Sequence, residues 1–195
     1  MNDEQTFRLL LLAGFVLLLP VGIYHRLKAR TGEKLDRRQE GLFIFVTLRL
    51  MGLMSIAGLI AYLINPACMA WAAVPLPAWL RWTGVGLGLC AGLLFTWTLR
   101  NLGRNLTDTV VTRKVHTLVV TGPYRWVRHP FYCAVALVLL ANSLAAANAF
   151  LFATGCVLIL LFRFRTRKEE ENLLARFGDD YRKYMERTGR FVPRL

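Results

Sequence analysis

Gly122-Pro123-Tyr124-Arg125-Trp126-Val127-Arg128-His129-Pro130-Phe131-Tyr132 opens into an apolar run that lasts to Phe164 and is broken at Asn142-Ser143 and Asn148. About 20 apolar residues suffice to cross ~30 Å of hydrocarbon, so a run of this length folds as a tight helical hairpin, with spans at 131 to 147 and 149 to 164. The polar stretch before it gathers aromatic, cationic and imidazole groups where a helix enters a membrane. Tyr, Trp and Arg also anchor helices at that interface, so simple anchoring stays open beside a cofactor site.

The same length rule applied outward gives three earlier spans, at 7 to 24, 42 to 64 and 79 to 99. The expectation is an all-α integral membrane protein with about five transmembrane helices. Two parts follow: residues 1–99 with the first three spans and a basic loop, and residues 100–195 with the hairpin 131–164 and a polar tail. The chain has 195 residues, 55% of them hydrophobic, yet its formal charge is +13. That much apolar sequence excludes a basic nucleic-acid-binding domain, and no aromatic-interleaved basic module occurs.

Loop charges orient the spans, because Lys and Arg stay cytoplasmic. Residues 25–40 hold Arg26, Lys28, Arg30, Lys34, Arg37 and Arg38, and residues 100–128 hold Arg100, Arg104, Arg113, Lys114, Arg125 and Arg128. Residues 65–80 and 142–149 hold none, and the segment from Arg163 is basic again. The N-terminus is therefore expected outside and the C-terminus in the cytoplasm, with anionic membrane lipids as partners of the basic face. Met1-Asn2-Asp3-Glu4 is not a basic signal-peptide start and no small-x-small cleavage site follows, so the first apolar segment is expected to remain as a membrane helix. Arg49 lies inside the second span and requires a partner there. Cys68, Cys90, Cys133 and Cys156 read as apolar fillers, with no disulfide framework or metal site. Gly84, Gly86, Gly88 and Gly92 allow close helix packing, within the monomer or between copies.

Chemistry concentrates in two cytoplasmic segments. Pro130 suits a first helical position, which makes His129 the N-cap of the fourth span. Free amides at that helix start attract a carboxylate or phosphate, with Arg128 and the Tyr124 hydroxyl near in sequence. Residues 109–120 are expected as short extended pieces that present backbone groups to a ligand. Arg165 and Glu169 are four apart and share a helix face, as a surface ion pair or as groups at a site mouth. Leu173, Leu174, Phe177, Tyr181 and Tyr184 have helical spacing around a turn at residues 177–180, which either closes over the site or lies on lipid headgroups.

Together these residues resemble the isoprenylcysteine carboxyl methyltransferase family and its relatives, the phospholipid N-methyltransferases, over about residues 100–195. The resemblance rests on His116-Thr117-Leu118-Val119, Gly122-x-Tyr124, Arg128-His129-Pro130-x-Tyr132, Arg165-x-x-x-Glu169-Glu170-x-x-Leu173 and Phe177-Gly178-x-x-Tyr181-x-x-Tyr184. It implies a membrane enzyme using S-adenosylmethionine. His116, Thr117, Leu118 and Val119 would lie along the adenosine, and Tyr124, Arg128, His129, Pro130, Phe131 and Tyr132 would hold the methionine part. Glu169 would contact the cofactor, and Arg165 would face a lipophilic or lipidated acceptor. At Thr109 the chain departs from the longer amide of eukaryotic members.

The resemblance puts Arg165, Glu169 and Glu170 at the reaction. A carboxylate acceptor is already ionised, whereas an amine or thiol would need Glu170 or His129 as base. Burial between apolar spans suits an acceptor entering from the bilayer. Two other readings stand beside this one: an NADPH-dependent membrane reductase of the sterol-reductase type, and a non-enzymatic lipid-binding membrane protein. A reductase must bind a diphosphate and a 2′-phosphate, which the Glu169-Glu170 pair disfavours. The residues leave the acceptor's identity and the oligomeric state open.

Overall fold

The computed structural model describes residues 3–29, 41–105 and 117–194. The basic connector at 30–40 and the segment 106–116, with Thr109 and His116, lie outside the described residues. Five helices follow in order: α1 (Asp3–Lys28), α2 (Leu42–Ile64), α3 (Ala78–Leu102), α4 (Pro130–Ala145) and α5 (Ala149–Arg187). Four of them are long and apolar enough to cross a membrane, and α4 is a shorter apolar helix of 16 residues. No strand occurs among the described residues, and residues 117–120 are irregular rather than paired. The expected spans coincide with these helices except at the end of α5. That helix runs on through its Glu-, Lys- and Arg-rich stretch, all good helix formers, to Arg187. The expected turn at 177–180 is a kink inside α5, at Gly178 with φ 52°.

Outward faces remain apolar, with Leu17, Leu53 and Leu93 each about two-thirds exposed or more, as lipid contact requires. Inward, α3 packs most extensively on α4. Gly84 and Gly88 of α3 meet Ala145 and Ala141 of α4, small residues four apart on both helices. A Cβ on Gly84 would stand 2.7 Å from the Ala145 nitrogen and 3.0 Å from the Ala141 oxygen. Gly92 faces Leu18 of α1, while Gly86 faces open space.

Polar groups lock one end of the bundle. Asn148 turns the hairpin: its side chain accepts from the amides of Phe150 and Leu151 at 3.1 Å and donates to the Met69 carbonyl at 3.1 Å. Glu4 of α1 pairs with Arg81 of α3 at 2.8 Å and accepts from the Tyr62 hydroxyl of α2. Arg81 also donates to the Ala145 carbonyl at 2.9 Å, which brings in α4. Arg49 places its guanidinium over the Phe45 ring, 4.2 Å from the centroid. At the opposite end the start of α4 meets the second half of α5, and there the candidate site forms.

Candidate active site

Local backbone needs set the approach to α4. Gly122 has φ 59° and begins a 3-10 turn, Gly122–Arg125; a Cβ there would lie 2.4 Å from the Asn101 side chain. Only glycine meets both conditions. Pro130 occupies the first turn of α4 and His129 the cap position, but the imidazole makes no capping bond. Its Nε2 instead lies 3.2 Å from Oε1 of Glu170, with the His129 ring almost fully buried.

Glu170 is the electrostatic centre of this end. Its side chain is 6% exposed and both oxygens are engaged. Oε1 accepts from Arg128 Nε at 2.8 Å and faces His129, and Oε2 accepts from Arg190 Nη2. Burial alone raises a carboxyl's pKa, but the bonds from His129, Arg190 and Arg128 outweigh it and hold Glu170 down at about 2. Arg128 also donates to the carbonyls of Met185, at 3.2 Å, and Thr188.

One residue earlier, Glu169 is half-buried and accepts from the Tyr132 hydroxyl at 2.9 Å through Oε2. Arg165, one turn back on α5, is buried and lies near the same hydroxyl. Aromatic rings line the region: Tyr132 to Phe162 is 4.9 Å between centroids, Tyr132 to Phe131 is 5.8 Å, and Phe131 to Phe95 of α3 is 5.8 Å.

The part of α5 after Gly178 folds onto the site. Tyr181 and Tyr184 are buried, and the Tyr184 hydroxyl donates to the Tyr124 carbonyl at 2.6 Å. Burial raises the Tyr124 phenol well above its usual range, with the Glu169 charge acting in the same direction. The Tyr181 hydroxyl is buried with no hydrogen-bond partner among the described residues.

Tyr124, Arg128, His129, Pro130, Phe131, Tyr132, Arg165, Glu169 and Glu170 thus gather at one end of the bundle. Thr117 is held at the end of α3, where Asn105 Nδ2 donates to its carbonyl at 3.2 Å and its hydroxyl at 3.0 Å. Leu118 and Val119 follow, both partly buried, while His116 lies outside the described residues. Arg190 was not singled out from the sequence, because in a strongly basic tail nothing marks one arginine from another. Gly189 beside it was the available cue: a Cβ there would collide with the Val192 carbonyl at 1.6 Å.

Residues 84–175 match the family model described as the isoprenylcysteine carboxyl methyltransferase (ICMT) family. The human protein-S-isoprenylcysteine O-methyltransferase is 30% identical over 131 residues, covering 63% of this chain and 44% of the relative. A methanethiol S-methyltransferase from Mycobacterium tuberculosis is 36% identical over 70 residues, covering 36% of this chain and 28% of that one. A solved structure of the eukaryotic intramembrane Ras methyltransferase ICMT shares the fold, with a TM-score of 0.56 at 24% identity over 74% of this chain and 51% of that one. The chain spans less than half the length of both of those curated relatives. The matched stretch holds both the α3–α4 seam and the paired glutamates, and the bundle has the fold of that solved structure, so over residues 84–175 the chain is similar to the isoprenylcysteine carboxyl methyltransferase family.

Proposed function

We propose that this chain is a membrane-embedded methyltransferase that uses S-adenosylmethionine and methylates a carboxylate on a lipophilic or lipidated acceptor. The single observation that carries the choice of acceptor is the 3.2 Å contact between His129 and Glu170. These are the two candidate bases, and each is committed to the other. Glu170, held ionised by three donors, takes up a proton weakly at neutral pH. An amine or thiol acceptor would need such a base, whereas a carboxylate would not.

The residues suit the cofactor. It carries a sulfonium cation, which adjacent carboxylates and the faces of Tyr132, Phe131 and Phe162 would attract. Tyr181 offers a buried hydroxyl with hydrogen-bonding capacity to spare among the described residues. Glu169, Tyr132 and the start of α4 would hold the cofactor, and Leu118 and Val119 would flank its base. When bound, the cofactor supplies an electrophilic methyl group. Arg165 would orient the acceptor carboxylate by paired hydrogen bonds, and the apolar walls exclude water that would otherwise solvate that anion. The acceptor would enter sideways from the bilayer. The basic residues beyond α1, α3 and the apolar part of α5 support a cytoplasmic position for this end, with the Glu4–Arg81 end outside.

Calorimetric titration of the detergent-purified protein with S-adenosylmethionine, and in parallel with NADPH, tests the cofactor. Binding of the former with loss of affinity in Glu169→Ala is expected, followed by alkali-labile methyl ester formation on prenylcysteine or other lipophilic acids. Binding of NADPH alone would replace this reading with a reductase.

A further inference from the structure

The chain after α5 turns back across the site. The Arg128 amide donates to the Gly189 carbonyl at 2.9 Å, the His129 amide to the Arg190 carbonyl at 3.1 Å, and the Gly189 amide to the Trp126 carbonyl at 3.3 Å. Residues 188–191 are thereby laid parallel to residues 126–129, with Val127 and Gly189 forming a parallel bridge. Two side chains then reach inward. Arg190 donates to Oε2 of Glu170, and the Phe191 ring lies 5.9 Å from the His129 ring. The Cys133 thiol of α4 donates to the Phe191 carbonyl at 3.3 Å.

The contacts form a series. His129 is held between Glu170 and the Phe191 ring, and its own ring lies 5.7 Å from that of Tyr132, whose hydroxyl is bonded to Glu169. Arg128 and His129 share one carboxylate oxygen of Glu170, so the rotation of that carboxylate is set by what grips the other, and that is Arg190. Without it the carboxylate can turn, and His129 loses the partner that fixes its ring. Guanidinium geometry suits this task because a charge alone does not fix the plane of a carboxylate.

We propose that Arg190 is a positioning residue: acting through Glu170 it holds His129 and Tyr132 in register, so that segment 188–191 is part of the cofactor pocket. The cofactor half of this statement rests on the reading of the site as one for S-adenosylmethionine.

The chain has 3 histidines, so imidazole ¹⁵N resonances report on His129 directly. Arg190→Gln, Arg190→Lys, Glu170→Gln and the double variant Arg190→Gln/Glu170→Gln are compared with Arg187→Gln, an exposed control. Arg190→Gln is expected to move the His129 resonances and weaken S-adenosylmethionine binding about tenfold, the size of one lost buried hydrogen bond. Arg190→Lys falls between it and the unaltered protein, and the double variant binds no more weakly than Glu170→Gln alone. Unmoved His129 resonances with unchanged affinity in Arg190→Gln would overturn the proposal, as would fully additive losses in the double variant. Should Arg190→Gln fail to fold, unmoved resonances in Arg190→Lys overturn it equally. An unaltered protein that binds no S-adenosylmethionine removes the cofactor reading, and the His129 resonances then decide the positioning role by themselves.

Discussion

Glu170 shows what a single buried anion does when three donors converge on it. Removing its charge leaves Arg128 and Arg190 gripping a neutral amide in a poorly solvated place, so Glu170→Gln is expected to destabilise the protein by about 3 kcal/mol, measured by thermal or denaturant unfolding in detergent. The pH dependence has a definite sign. The folded-state pKa of about 2 is below the ordinary 4.5, so the contribution is complete above pH 4.5 and is lost as pH falls from there to about 2. That loss, also on the order of 3 kcal/mol, should be missing from Glu170→Gln, whose stability should fall less across the same window than that of the unaltered protein. From sequence, Glu170 stood among candidate bases because a carboxylate beside a cofactor motif has the right chemistry. Its commitment to Arg128, His129 and Arg190 depends on contacts 42, 41 and 20 residues distant along the chain, which no local spacing encodes. His129 and Pro130 were legible as a helix start, yet the imidazole turned to a tertiary partner in place of a cap.

Helices were the most legible elements, because lipid demands apolar length and internally satisfied backbone and leaves few other solutions. Asn148 was visible as an interruption, and its dual role as cap and as tether to Met69 explains why the chain turns there. The course of α5 beyond the membrane was less legible, since a glycine can either end a helix or kink it. Of four glycines in α3, the sequence could not say which makes the close contact; Gly84 does, against backbone that cannot yield. Gly84→Leu is therefore expected to separate α3 from α4 and cost about 1–3 kcal/mol, whereas Gly86→Leu, facing open space, should lie within about 0.5 kcal/mol of the unaltered protein. Unfolding in detergent compares the two.

Across the whole molecule, the two polar ends differ in character. One is closed by Glu4, Tyr62 and Arg81, and the other carries the candidate site and the described basic residues that follow the spans. Cys68 sits exposed in the connection between α2 and α3, on the first of these ends. A membrane-impermeant maleimide added to intact spheroplasts should label Cys68, while a cysteine placed at the exposed Arg187 should react only after permeabilisation. Reversed labelling would invert the assigned topology. The hairpin that carries the site has a further property. At 1.5 Å per residue, the 16 residues of α4 reach about 24 Å, while the 26 of α1 and 25 of α3 reach nearly 40 Å. A bilayer core of ~30 Å is too thick for the one and too thin for the others. Thinning of the lipid beside α4 answers the first mismatch, while α1 and α3 can carry their polar ends beyond the core, so acyl-chain length bears directly on the helix whose first turn holds His129 and Tyr132.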